Sequence, residues 1–252
     1  MSEADQRKVA FVTGAGSGIG RATARMFAED GYAVAIVDLN EAGGKETEGI
    51  INQAGGESFF VKCNTADEDS VKNAVAETVS RYGRLDAAFN AAGVDGANGK
   101  FTADNTLEEW SKVIAVNLTG VWLCMKYQIE QMLKNGGGAI VNCASTAGIR
   151  GAQFFGPYCA SKHGVVGVTK AAALEYARQG VRINAVCPGM IETPMTNGEA
   201  VRDLIEELAA KSPLGRRGQP EEIGGAVLYL CSERATFVHG QAIAVDAALT
   251  TA

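Results

Sequence analysis

Short apolar runs alternate with longer amphipathic ones along this chain. The short runs are "KVAFV" (8–12), "AVAIVD" (33–38), "ESFFVK" (57–62), "LDAAFN" (85–90), "GAIVNC" (138–143), "VRINAVC" (181–187) and "QAIAV" (241–245). They are apolar through most of their length, as strands covered on both faces must be. Helical patterns fill the gaps, at about 18–30, 41–54, 67–82, 106–134, 157–179 and 220–231. This alternation predicts right-handed crossovers and a parallel, doubly wound α/β sheet of seven strands, with helices on both faces.

No linker, repeat or charge run marks a second domain, so residues 1–252 are expected to form one. The stretch 188–219, "PGMIETPMTNGEAVRDLIEELAAKSPLGRRGQ", lacks a strand and holds a short amphipathic helix at about 199–210. A long excursion at the carboxyl end of a strand is expected to serve as a substrate lid.

Composition narrows the function. Hydrophobic residues make up 46% of the 252, enough for a sizeable core. The net charge of −6 argues against general nucleic-acid binding, which needs basic surface. The opening "MSEADQRKVAF" is polar and runs straight into a strand, and no apolar run is long enough to span a bilayer. A cytoplasmic protein without membrane partners is expected. The six cysteines form no CxxC pair, and only two histidines accompany them, so no metal site is expected. The cysteines read as buried small apolar residues.

Candidate chemistry begins at "VTGAGSGIG" (12–20), which follows the first strand and opens the first helix. Gly14, Gly18 and Gly20 permit a tight turn and the close approach of a pyrophosphate. The helix N-terminus adds free N–H groups and a positive dipole end. Asp38 ends the second strand, at about the 20-residue distance of a carboxylate that grips ribose hydroxyls. The reading is a Rossmann domain binding a dinucleotide. A second pattern is "YCASK" (158–162). On a helix, Tyr158 and Lys162 lie on one face, one turn apart. A cation beside a phenol favours the phenolate, which suits proton exchange with an alcohol or ketone oxygen. Pro157 suits a first helical position and would hold that geometry.

The whole chain, from about residue 7 to 246, resembles the short-chain dehydrogenase/reductase family. The resemblance rests on "TGAGSGIG" (13–20), "NAAG" (90–93), Asn117 in "VNLTG", Ser145 in "CASTAG", the Tyr158–Lys162 motif, and "PG" (188–189) followed by Thr193. It implies that Ser145 and Tyr158 meet the substrate oxygen and that Lys162 also binds the nicotinamide ribose. Asn117, in the fourth helix, would help hold a water linked to Lys162. By the same resemblance the cofactor contacts are Gly14, Ser17, Gly18, Ile19, Gly20, Asp38, Leu39, Asn64, Thr65, Asn90, Ala91, Gly93, Pro188, Gly189, Ile191 and Thr193, with Tyr158 and Lys162. Two departures stand out: Asn64 where Asp is usual, and "VDAA" (245–248) where "VDGG" is usual.

Function follows in three versions. The leading one is an NAD-dependent oxidoreductase of a secondary alcohol or ketone. Val94, Phe154, Phe155, Met190 and Met195, with Ser145, are expected to line an apolar pocket suited to a small cyclic or aromatic substrate. The second is a 3-oxoacyl-[acyl-carrier-protein] reductase, since "PLGRRGQPEEI" (213–223) resembles that branch and Arg216 and Arg217 could meet an acidic carrier. Asp38 disfavours the NADPH such reductases use. The third is a nucleotide sensor without catalysis, which the intact Asn117, Ser145, Tyr158, Lys162 set opposes. Apolar surplus on the helices at 106–134 and 157–179, for example Val165, Val168, Ala171, Ala172 and Leu174, predicts a homotetramer. His163, on another helix face, is expected to be structural or interfacial.

Overall fold

A computed structural model of the chain describes residues 7–96, 99–197, 202–210 and 212–251. The seven strands are β1 (Val9–Thr13), β2 (Ala33–Asp38), β3 (Glu57–Lys62), β4 (Ala87–Asn90), β5 (Gly138–Cys143), β6 (Val181–Pro188) and β7 (Ala242–Val245). They form one sheet in the order β3-β2-β1-β4-β5-β6-β7. Every pairing is parallel, for instance Phe11 beside Ala35 and Ala88. β4 starts two residues later than its apolar run; just before it, the Asp86 carboxylate accepts the Val9 N–H at 2.8 Å and pairs with Arg84.

The continuous apolar runs have a direct cause. Successive strand residues point to opposite faces. Val9 and Phe11 enter one core with Val71, Val121, Met125 and Val165, while Ala10 and Val12 enter the other with Phe27, Ile223 and Val227. Phe11, Phe27 and Phe89 are fully buried, each contributing about 1.5–3 kcal/mol of transfer free energy.

The helices are α1 (Gly18–Glu29), α2 (Glu41–Gln53), α3 (Glu68–Tyr82), α4 (Leu107–Ile114), α5 (Gly120–Lys134), α6 (Gly156–Tyr176), α7 (Arg202–Ala210) and α8 (Pro220–Cys231). Local chemistry sets their ends. The Asp67 side chain caps α3 by accepting the Ser70 N–H, and Gly83 closes it at φ +79°. Thr106 and Glu109 form a reciprocal box at the start of α4, while at α8 the Glu222 carboxylate accepts the Gln219 N–H. The helix expected at 106–134 is interrupted by a π turn, Ala115–Thr119. Positions 199–201 of the helix expected at 199–210 lie outside the described residues. In "VDAA", Ala247 and Ala248 both take left-handed backbone, φ +55° and +64°. Each costs about 1–2 kcal/mol relative to glycine's freedom there. Among the described residues no helix is long and apolar enough to cross a membrane.

Candidate active site

A cavity of about 450 Å³ opens at the carboxyl ends of the strands. It straddles β1 and β4, where the strand order reverses, the usual crevice for a ligand in such sheets. Its floor begins with the turn after β1. A Cβ built on Gly20 would meet the Gly14 carbonyl oxygen at 2.1 Å, so loop and helix touch only because that side chain is missing. Gly14 itself sits at φ +65°, and a Cβ there would meet Ala92 N at 2.9 Å. Asp38 lines the cavity with its carboxylate already oriented. Its Oδ2 accepts the Gly16 N–H and its Oδ1 the Asn40 N–H, both at 2.8 Å. Arg21 lies under the loop, donating to Gly16 O and Thr47 Oγ1 and pairing with Glu46. Leu39 is exposed at the rim.

The deeper part is built by β5 and α6. Ser145 follows β5 and caps a single 3-10 turn, accepting the Ala147 N–H at 3.1 Å. α6 opens with Pro157 in its first turn and presents Tyr158 and Lys162 to the same cavity. Lys162 is 4% exposed, and its Nζ donates to Cys143 O at 2.8 Å. That Nζ lies 5.5 Å from the centroid of the Tyr158 ring. A buried ammonium needs such partners, and a backbone carbonyl supplies one without neutralising the charge.

Asn117 is fully buried in the π turn. Its Oδ1 accepts the Val94 N–H at 2.8 Å, and its Nδ2 donates to Val94 O at 2.7 Å. Gly93 lies between this amide and the lysine: a Cβ there would be 3.3 Å from Asn117 Oδ1 and 3.7 Å from Lys162 Nζ. Asn117 thus braces the cavity wall at Val94 instead of lining the cavity, and it does so from a π turn instead of a regular helix. π turns recur at functional sites because the extra residue re-aims a side chain.

Most of the predicted cofactor positions line this one cavity: Gly14, Ser17, Gly18, Ile19, Gly20, Asp38, Leu39, Asn64, Thr65, Ala91, Gly93, Pro188, Gly189, Ile191 and Thr193. Asn90 does not. Its amide turns into the core, where it exchanges hydrogen bonds with Gln128 and donates to Asn142. Asn64 Oδ1 already accepts the Ala66 N–H, leaving one lone pair for a ligand. Of the five apolar residues expected around the substrate, Val94 and Met195 line the cavity. Met190 instead borders a separate space of about 70 Å³ with Leu214 and Leu249. Phe154 takes φ +68° and packs edge-on against Phe101, while the Phe155 ring lies 6.5 Å from that of Tyr158. Ala92, Lys112, Val116, Pro194 and Thr196 also line the cavity and are missing from the sequence reading. Lys112 and Val116 share the i, i+4 spacing that signals one helix face, but only the fold shows which face looks inward.

Other candidates are engaged elsewhere. His163 Nδ1 is 2.9 Å from Cys159 O. Arg216 forms a two-pronged pair with Glu222, and Arg217 bonds Asn197. The cysteines are all free thiols, and burial pushes Cys187 up to about 11 and Cys231 up to about 12.

Fold and cavity together define a Rossmann-type oxidoreductase. A family model described as enoyl-(acyl carrier protein) reductase matches residues 14–250. The cyclohexanol dehydrogenase of Acinetobacter sp. (strain SE19) is 46% identical, over 100% of this chain and 98% of that protein. The 2,5-dichloro-2,5-cyclohexadiene-1,4-diol dehydrogenase of Sphingobium indicum (strain DSM 16412 / CCM 7286 / MTCC 6364 / B90A) is 41% identical, over 96% and 97%. Among solved structures, a variant of actinorhodin polyketide ketoreductase with NADPH superposes at TM-score 0.92, with 39% identity over 100% of both chains. The chain belongs to the short-chain dehydrogenase/reductase family.

Proposed function

We propose that the protein interconverts a cyclic secondary alcohol and its ketone, with NAD(H) as cofactor. The observation that carries the chemistry is the convergence of Ser145, Tyr158 and Lys162 on one cavity, with Lys162 Nζ 5.5 Å from the Tyr158 ring. The cavity suits a nicotinamide dinucleotide: a glycine turn opens α1, a pre-oriented carboxylate ends β2, and both border the same space as the tyrosine. Held there by the glycine turn, Asp38 and Lys162, a nicotinamide dinucleotide would supply the hydride acceptor for oxidation, or the donor for reduction. In oxidation, Tyr158 takes the hydroxyl proton. The Ser145 hydroxyl donates to the substrate oxygen and steadies its developing charge. The Lys162 ammonium holds a positive charge 5.5 Å from the Tyr158 ring, on the proton's side of the reaction. Asn117 keeps the Val94 wall in place beside them.

The cyclic substrate rests on the names of the two similar dehydrogenases, and on an apolar wall of Val94 and Met195 beside two hydroxyl groups. The carrier-protein reading loses its support because Arg216 and Arg217 already have partners. NAD over NADP rests on Asp38. The excursion 188–219 serves as the substrate lid of one domain. Free cysteines suit a reducing cytoplasm. A homotetramer is supported by apolar side chains left on α4, α5 and α6, where Leu107 is 80%, Trp122 46% and Leu174 86% exposed. Sedimentation of a monomer at micromolar concentration would refute that assembly.

The test is cyclohexanol oxidation followed as NADH absorbance. Tyr158→Phe keeps NADH binding and loses nearly all turnover, about 10³-fold or more. Substantial activity in that variant puts the proton acceptor elsewhere.

A further inference from the structure

We infer that Arg217 is a positioning residue, which holds the segment 191–197 against the nicotinamide and substrate end of the cavity. Ile191, Thr193, Pro194, Met195 and Thr196 of that segment line the cavity; Arg217 does not. The segment is tied at its start. Gly218 N donates to Met190 O at 2.8 Å and Glu192 N to Gly218 O at 2.9 Å, a short parallel bridge between the two legs of the excursion. Inside the segment, Thr196 Oγ1 donates to Ile191 O at 2.6 Å. Its far end is Asn197, and there Arg217 Nη1 donates to Asn197 Oδ1 at 2.7 Å. The other prong, Nη2, reaches Glu192 Oε1 at 3.5 Å, and Gln219 Nε2 donates to Glu192 Oε2 at 3.1 Å.

One guanidinium thus spans the segment from Glu192 to Asn197. It is mostly covered, with 17% of its side chain exposed, so its hydrogen bonds face little competition from water. The planar fork matters: two donors with a fixed separation can hold two points on one wall, which an ammonium cannot do as well. The wall also reaches the phosphate loop. A Cβ on Gly18 would lie 3.2 Å from Thr193 Cγ2. A shift at Asn197 is therefore passed along the wall to Thr193 and Met195, both of which line the cavity. The neighbouring Arg216 has a different task, gripping Glu222 at the start of α8.

The inference rests on the dinucleotide reading of the cavity, so the experiment separates the two. NADH and NADPH are titrated by fluorescence into the wild-type protein, and the tighter of the two is used throughout. Arg217→Met should raise its Kd about tenfold and raise KM for cyclohexanol similarly, with kcat within about threefold. Arg217→Lys should recover part of the loss, and Asn197→Ala should reproduce it. Arg216→Met should lower Tm yet leave the Kd within about twofold, the behaviour of a structural arginine. Wild-type Kd and KM in Arg217→Met overturn the inference, as does an equal rise of Kd in Arg216→Met. Should Arg217→Met not fold, the Kd of Asn197→Ala decides in the same way. A wild type that binds neither dinucleotide removes the cavity reading and the inference with it.

Discussion

The side-chain amide of Asn117 and the backbone of Val94 hold each other twice, at 2.8 and 2.7 Å. Asn117 is fully buried, while Val94 borders the cavity, so the amide fixes this part of the wall from behind. Asn117→Ala removes both bonds to Val94, at about 0.5–1.5 kcal/mol each. The expected result is a Tm lower by about 3–10 °C together with weaker NADH binding. A Tm within a degree of the wild type would show that Val94 is held by something else.

The proposed preference for NAD rests on Asp38. A phosphate on the ribose 2′ position would place like charges about 5 Å apart, costing about 3 kcal/mol at an effective dielectric near 20. Arg21 offers no relief, since its guanidinium is engaged beneath the loop by Gly16, Thr47 and Glu46. The wild type should prefer NAD over NADP by about a hundredfold in kcat/KM. Asp38→Ala combined with Leu39→Arg should narrow or reverse the ratio. Equal use of both cofactors by the wild type would sink the argument.

Acid should loosen the start of α8 through Glu222. Arg216 holds this carboxyl down at about 2, below its ordinary 4.5, and the Gln219 N–H assists. The fold therefore favours the charged form. Its contribution is fully present above pH 4.5 and is lost as pH falls through about 2. The pair is solvent-exposed, which keeps the effect small. Glu222→Gln should melt below the wild type at pH 7, with the gap closing between pH 4.5 and 2. Parallel Tm curves over that range would contradict the assignment.

Much of this molecule was legible from pattern alone. Period-two burial on both faces makes the strands recognisable as uninterrupted apolar runs, and β2 and β3 begin and end where those runs do. The glycine turn and Asp38 were legible because a tight strand-to-helix turn demands glycine, and the acidic residue stands at a fixed spacing from it. What was hidden depends on partners far along the chain. Asn90 turns inward because Gln128 and Asn142 wait there, and no local signal announces them. The π turn at Asn117 leaves the apolar periodicity of α4 and α5 nearly intact, so the pattern reads as one helix. Phe154 could not be foreseen at φ +68°, a conformation its own residue type disfavours.

The placement of the thiols has a consequence for how the protein can be observed. Cys63, Cys124, Cys143, Cys187 and Cys231 are buried, and only Cys159 is partly accessible. Burial also pushes the five interior thiols upward, away from the reactive thiolate. A thiol-specific reagent therefore meets one reactive group on the native molecule and six on the unfolded chain. These interior cysteines lie on or beside β3, β5 and β6 and on the helices α5 and α8, so they sample both cores. The mass of each labelled molecule then counts how far it has opened, which makes the protein its own clock for transient unfolding.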